Sequence, residues 1–151
     1  MNLRLVLAGN ELLRNLTEVH IDFLDSVSQS VVVAGGASLF EEGGPADTFY
    51  IVTEGKIGLE LASPGMTPRV IQTLGPGDMV GLSWLFPPYR WNWRARAWEE
   101  TTLIAFDGVA VRRRHEEDDE LRRRLLEVVS MDVVTRLQRT RLQLLDLYGK
   151  G

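Results

Sequence analysis

A chain of 151 residues, 44% hydrophobic and 25% charged with a formal net charge of −4, lies within the range of one folded domain and outside the composition of disordered chains. No apolar run approaches the roughly 20 residues that cross a bilayer, and Met1 to Leu7 is too short for a signal peptide, so a cytoplasmic protein with no membrane association is expected. The absence of cysteine removes disulfides and thiolate chemistry, and the acidic balance opposes direct nucleic-acid binding, whose affinity comes largely from a basic surface neutralising phosphates.

In chain order, Leu12, Leu13, Leu16, Val19, Phe23, Leu24 and Val27 recur at near-helical spacing, with Thr17 placed as a helix N-cap. The expectation is a short helical entry segment over residues 10–29. From residue 30 to 107 the texture becomes short apolar or alternating runs broken by glycine and proline, which reads as an antiparallel sandwich or barrel. Strands are expected at Ser30 to Val33, Ser38 to Phe40, Thr48 to Thr53, Lys56 to Ala62, Arg69 to Leu74, Trp93 to Trp98 and Thr102 to Phe106. The intervening turns include Glu42-Gly43-Gly44-Pro45, Ser63-Pro64-Gly65 and Gly75-Pro76-Gly77-Asp78, where glycine supplies positive φ and proline presets φ.

Residues 108–148 read as helix, because neither glycine nor proline occurs from Val109 to Tyr148. A helix beginning at Asp118 or Asp119 and running about 28 residues would reach roughly 42 Å, more than one small barrel covers. Leu126, Ser130, Val133, Leu137, Thr140, Leu144 and Leu147 alternate steps of four and three, the spacing of a two-helix seam, which points to a parallel homodimer. The competing reading packs the apolar stripe on the chain's own barrel. Arg112 to Arg114 and Arg122 to Arg124 flank Glu116 to Glu120 and read as a salt-bridged helix surface.

The run Phe40-Glu41-Glu42-Gly43-Gly44-Pro45-Ala46-Asp47-Thr48-Phe49-Tyr50-Ile51-Val52-Thr53-Glu54-Gly55-Lys56-Ile57 resembles the first half of the cyclic-nucleotide-binding domain of the catabolite activator family. The resemblance continues through Leu74-Gly75-Pro76-Gly77-Asp78-Met79-Val80-Gly81, Arg96-Ala97, residues 101–107 and the last helix. It implies a mainly β fold with flanking helices: a double-stranded β-helix or jelly-roll-like β-roll, a short N-terminal helix and a long C-terminal dimerisation helix, in one domain over residues 1–151. Relatives of that family carry a winged helix-turn-helix after the long helix; with Gly151 following so closely on Tyr148, a stand-alone module is expected.

The resemblance also places a phosphate-binding cassette after the Gly-Pro-Gly-Asp turn, where free N–H groups of a short helix would meet a cyclic phosphate. The family pattern has a glutamate for the ribose hydroxyl and an arginine for the phosphate. This chain has Leu82 at the glutamate's place, after Gly81 and before Ser83 and Trp84. With Arg96-Ala97 as an ungapped anchor, Trp91 and Asn92 fall at the arginine and small-residue places; with a shift of one residue, Arg90 becomes the phosphate ligand. Thr140 matches a base contact from the last helix. Cyclic AMP or cyclic GMP is therefore a possible ligand, although a ribose hydroxyl facing Leu82 would lose about 1 to 3 kcal/mol.

The ring cluster Trp84, Phe86, Tyr89, Trp91, Trp93 and Trp98 coincides with the cassette, either as a ligand pocket or as a filling for the space of a nucleotide. Arg90, Arg94 and Arg96 add cations, the last two readable as a solvated strand face. His20 and His115 flank the β region, and no nucleophile elbow, P-loop or clustered metal-ligand set appears, so no enzyme activity and no required cofactor are expected. The leading expectation is a regulatory module that senses a nucleotide-like or other small ligand and signals through its last helix. A ligand-free structural or protein-interaction module with a filled pocket is the alternative, and a transcriptional regulator dependent on a protein partner is a third.

Overall fold

The computed structural model describes residues 3–62 and 64–149, so Ser63 of the expected 63–65 turn lies outside the described residues. The order is α1 (Leu3–Ala8), a 3-10 turn (Glu11–Leu13), α2 (Glu18–Ser26), β1 (Ser28–Val33), β2 (Ser38–Phe40), β3 (Thr48–Glu54), β4 (Ile57–Leu61), β5 (Arg69–Leu74), β6 (Met79–Val80), a second 3-10 turn (Ser83–Leu85), β7 (Arg94–Ala97), β8 (Thr101–Asp107), α3 (Gly108–Glu117) and α4 (Asp119–Gly149). Among the described residues the strands form two four-stranded antiparallel sheets, ordered β1-β8-β3-β6 and β2-β7-β4-β5. This is the mainly β architecture with flanking helices expected of a β-roll.

The entry segment is not one helix over 10–29. Thr17 accepts from His20 N and caps α2, but α2 stops at Ser26 and β1 begins two residues later, while α1 and a 3-10 turn precede it. β6 was not among the expected strands. Its two residues pair with Tyr50 and Ile51 and carry the chain from the 75–78 turn into the cassette.

Continuous apolar runs in β3 and β8 mark strands covered on both faces. Phe49 and Ile51 of β3, with Ile104 and Phe106 of β8, share a core with Leu7, Leu24, Val111 and Leu125 from the helices. Val52 and Leu103 instead join Ile57, Leu59, Leu74 and Ala95 between the sheets. The result is three layers, helices on sheet on sheet, with Phe40 touching both cores.

Asp107 caps α3 through Ala110 N, and Asp118 caps α4 through Leu121 N. α4 buries Leu121, Leu125, Val128, Val129 and Asp132 against its own domain. Leu126, Val133, Leu137, Leu144 and Leu147 lie on other faces and are exposed. The packed stripe and the heptad-spaced stripe are thus different sets of residues. The arginine clusters do pair with the acids between them, Arg114 with Asp118 at 3.4 Å, Arg122 with Asp119 at 3.2 Å and Arg124 with Glu120 at 3.1 Å, and Arg122 also donates to the carbonyls of His115 and Glu116, tying the α3–α4 junction. Among the described residues no helix is long and apolar enough to cross a membrane.

Candidate functional site

The cassette is the segment from Gly81 to Trp93, held between β6 and β7. Tyr89, Arg90 and Trp91 run alongside residues 43–46: Ala46 N donates to Tyr89 O at 2.8 Å, Trp91 N to Gly44 O at 3.0 Å and Gly43 N to Trp91 O at 2.8 Å. This zipper fixes the backbone of Trp91 and sends its ring inward. The ring is stacked on Phe40 with centroids 3.8 Å apart and an interplanar angle of 12°, and Trp91 is only 5% exposed. Its far edge lies over Gly81, where an added Cβ would come within 2.5 Å of the indole; φ is +93° there, so glycine serves both backbone and packing.

Leu82 opens the 3-10 turn without a side-chain cap and is half-buried against the helix-side core. What remains beside Trp91 is a pocket of about 280 Å³. Gly81, Leu82, Ser83, Arg90, Trp91 and Asn92 all line it. Trp84 and Thr140 do not. Trp84 is fully buried, stacked on Phe49 at 4.0 Å in the core beneath the cassette, and Thr140 is exposed one turn beyond the pocket with its hydroxyl bonded to Arg136 O. A ring at cassette spacing reads equally as pocket or as core from sequence; the turn of the 3-10 helix decides it.

α4 meets the pocket through Arg136. Its side chain is 14% exposed, Nη2 donates to Met79 O on β6, and Nε lies 2.9 Å from Asp132 Oδ2. That approach lacks hydrogen-bond alignment, so Nε and Oδ2 are both buried without a hydrogen bond. Burial pushes the Asp132 carboxyl above its ordinary value and the Arg136 guanidinium below its own. Next to them, Arg139 Nη1 lies 3.5 Å from Asp78 Oδ2. Arg136 follows Asp132 of the buried stripe by one turn, on the same face of α4, and its charge rather than its spacing is what kept it from being singled out in the sequence.

The remaining cations of the region have structural partners. Arg90 Nη1 donates to Gly43 O at 3.3 Å from an exposed position at the pocket rim. Arg94 and Arg96 do not form a free solvated face: both bond Glu60, at 2.9 Å and 2.7 Å, and Glu60 is 1% exposed. The Arg96 hydrogen bonds, helped by those of Arg94, hold the Glu60 carboxyl below its ordinary range against the opposing effect of burial. Arg112 of α3 reaches into the cassette, donating to Ala46 O at 2.9 Å and Trp84 O at 2.6 Å while lying 4.3 Å over the Tyr89 ring. Among the described residues no group of three histidine or acidic side chains is placed to hold a metal ion.

Residues 30–118 match the family described as the cyclic nucleotide-binding domain. The chain is 30% identical over 119 residues to the CRP-like cAMP-activated global transcriptional regulator of Mycobacterium tuberculosis, covering 79% of this chain and 51% of the regulator. It thus spans about half the length of the curated relatives it matches. Among solved structures, the N-terminal domain of a transcriptional regulator from Streptomyces coelicolor A3(2) is 29% identical with a TM-score of 0.68, covering 92% of this chain and 94% of that one. A cyclic nucleotide-binding domain from Methylobacillus flagellatus KT shares the fold at 16% identity and a TM-score of 0.76, covering 93% and 79%. From its strand order, its cassette and the match across most of the β-roll, the chain belongs to the cyclic nucleotide-binding domain family.

Proposed function

We propose that this chain is a cytoplasmic, non-catalytic regulatory module that has given up conventional cyclic-nucleotide recognition and responds to another small ligand through α4. The observation that carries the reading is the Trp91 ring, which is packed into the cassette where the resemblance expects an arginine. Leu82 supports it, since no carboxylate is offered to a ribose at that place. The pocket left over is bounded by the cassette on one side and Arg136 of α4 on the other, so its occupant would bear directly on the helix. The mycobacterial relative is named for activation by cAMP; in this chain the cassette chemistry argues against the same ligand.

A second reading has a specific observation behind it. Trp91 is as well packed as a core side chain, which suits a module that binds no small ligand and works as a protein-docking dimer.

Calorimetric titration with cyclic AMP and cyclic GMP tests the first part. No saturable heat is expected below about 1 mM for the native protein. Micromolar binding would overturn the reading. The Leu82→Glu, Trp91→Arg double variant is expected to gain binding, because it restores both polar anchors and vacates the ring's volume; no gain would mean that Trp91 is not what closes the site.

A further inference from the structure

The pocket has a definite chemistry. Among the described residues its lining includes two arginines, Arg90 and Arg136, and no acidic side chain. Its walls are rings and aliphatic groups, chiefly Phe40, Leu59, Phe86, Trp91 and Trp93. At about 280 Å³ it is smaller than the roughly 300 to 1,000 Å³ of pockets that enclose drug-sized ligands. A compact ring with one anionic group matches size, wall and charge together.

The two arginines are not equivalent. Arg90 is exposed and already donates to Gly43 O. Arg136 is largely buried, and its hydrogen bonding is incomplete: Nη2 has Met79 O, Nε faces Asp132 without alignment, and Nη1 bonds to no described residue. A guanidinium presents five N–H groups in a planar fork suited to a carboxylate or phosphate. A largely buried guanidinium that lines a cavity free of acids, with its Nε ion-paired to Asp132 but not aligned for a hydrogen bond, is chemically suited to receive an anion. It also forms the polar tie between α4 and β6.

We infer that the pocket takes a small ring-bearing oxyanion, a carboxylate or phosphate monoester on a single ring, whose charged group is held by Arg136. This rests on the reading of the chain as a sensor of a small ligand other than a conventional cyclic nucleotide. Binding would turn the guanidinium from Met79 O and Asp132 toward the ligand, so the group that reads the charge is also one that ties α4 to β6. The ligand then favours whichever helix position leaves Arg136 free to engage it.

The test uses the full chain, with benzoate, phenylacetate and phenyl phosphate as probes and phenylacetamide as the neutral comparison. Binding is followed by tryptophan fluorescence, since Trp91 and Trp93 line the pocket, and by thermal shift. At least one anion is expected to bind saturably, and phenylacetamide at least tenfold more weakly than phenylacetate. Arg136→Gln should weaken the anion at least tenfold, Arg136→Lys should recover part of it, and Arg90→Gln should lose less. The Asp132→Asn, Arg136→Gln variant removes the charge without stranding a buried carboxylate, and should show the same loss in a protein that melts cooperatively. Absence of a response to all three anions up to about 10 mM would overturn the inference. So would equal binding of the amide, or binding that survives loss of Arg136. Micromolar cyclic AMP binding by the native chain would instead overturn the reading beneath it.

Discussion

At the scale of single residues, Gly81 and Trp91 form one unit. An alanine at Gly81 meets the indole at 2.5 Å and also has to adopt φ near +93°. Backbone strain of about 1 to 2 kcal/mol adds to overpacking of about 1 to 3 kcal/mol, so Gly81→Ala should be among the more damaging substitutions. Trp91→Ala should itself cost about 3 to 5 kcal/mol by emptying a packed site. In the double variant the clash disappears and only the backbone strain of Gly81→Ala remains, so denaturant unfolding of the four proteins should show less destabilisation than the sum of the single changes. Additive values would mean that the two do not touch in solution.

Glu60 gives a second residue-scale expectation. Its carboxyl is held low by Arg96 and Arg94, so the stability it adds is fully present above the ordinary glutamate value and is lost as pH falls through its lowered value in the fold. Glu60→Gln should lower the melting temperature near neutral pH and narrow the gap to the native protein on acidification. A gap independent of pH would show that the arginines do not set its charge. Trp91 was legible in the sequence because the Arg96-Ala97 anchor counts back to it. Glu60 was not, since a strand residue facing outward is ordinarily solvated and only the register Glu60 opposite Arg94 brings the cations over it.

At the scale of elements, α4 carries two separate faces. Leu121, Leu125 and Val128 seat its first turns on the domain, whereas Val133, Leu137 and Leu144 are exposed along its outer length. Helices with such an apolar outer stripe pair readily, and the spacing suits a parallel seam. Val133→Glu with Leu137→Glu should therefore give a monomer by light scattering with the circular dichroism of the native fold. A dimer that survives both changes would place the contact elsewhere. The existence of the long helix was plain from the lack of glycine and proline, and so was the seam spacing. The inward turn of Arg112 and Arg136 was not, because long amphipathic side chains bury their stems wherever a carbonyl can receive the head.

At the scale of the whole molecule, the three-layer build explains which parts of the fold could be read in advance. Alternating or short apolar runs located the strands that face one core, and the turns between them carried glycine and proline. The two-residue β6 escaped because its pattern is too short to have a period, and α1 because residues 3–8 are apolar almost throughout and lack a cap signal. Both are held by long-range packing, β6 against β3 and α1 against α2, which local sequence does not encode.

The seating of Trp91 bears on sensitivity. For a ligand that needs the volume of the ring, the site has no empty resting form: such binding competes with an intramolecular occupant present at fixed, high effective concentration, whereas a compact ligand enters the pocket beside the ring. If the open conformer is a small fraction of the population, the apparent dissociation constant rises by the inverse of that fraction. Such a protein ignores trace amounts of a nucleotide-sized visitor and would answer only to abundance, and that threshold can be moved over decades by changes at Phe40 and Gly81 that alter how firmly the ring is seated.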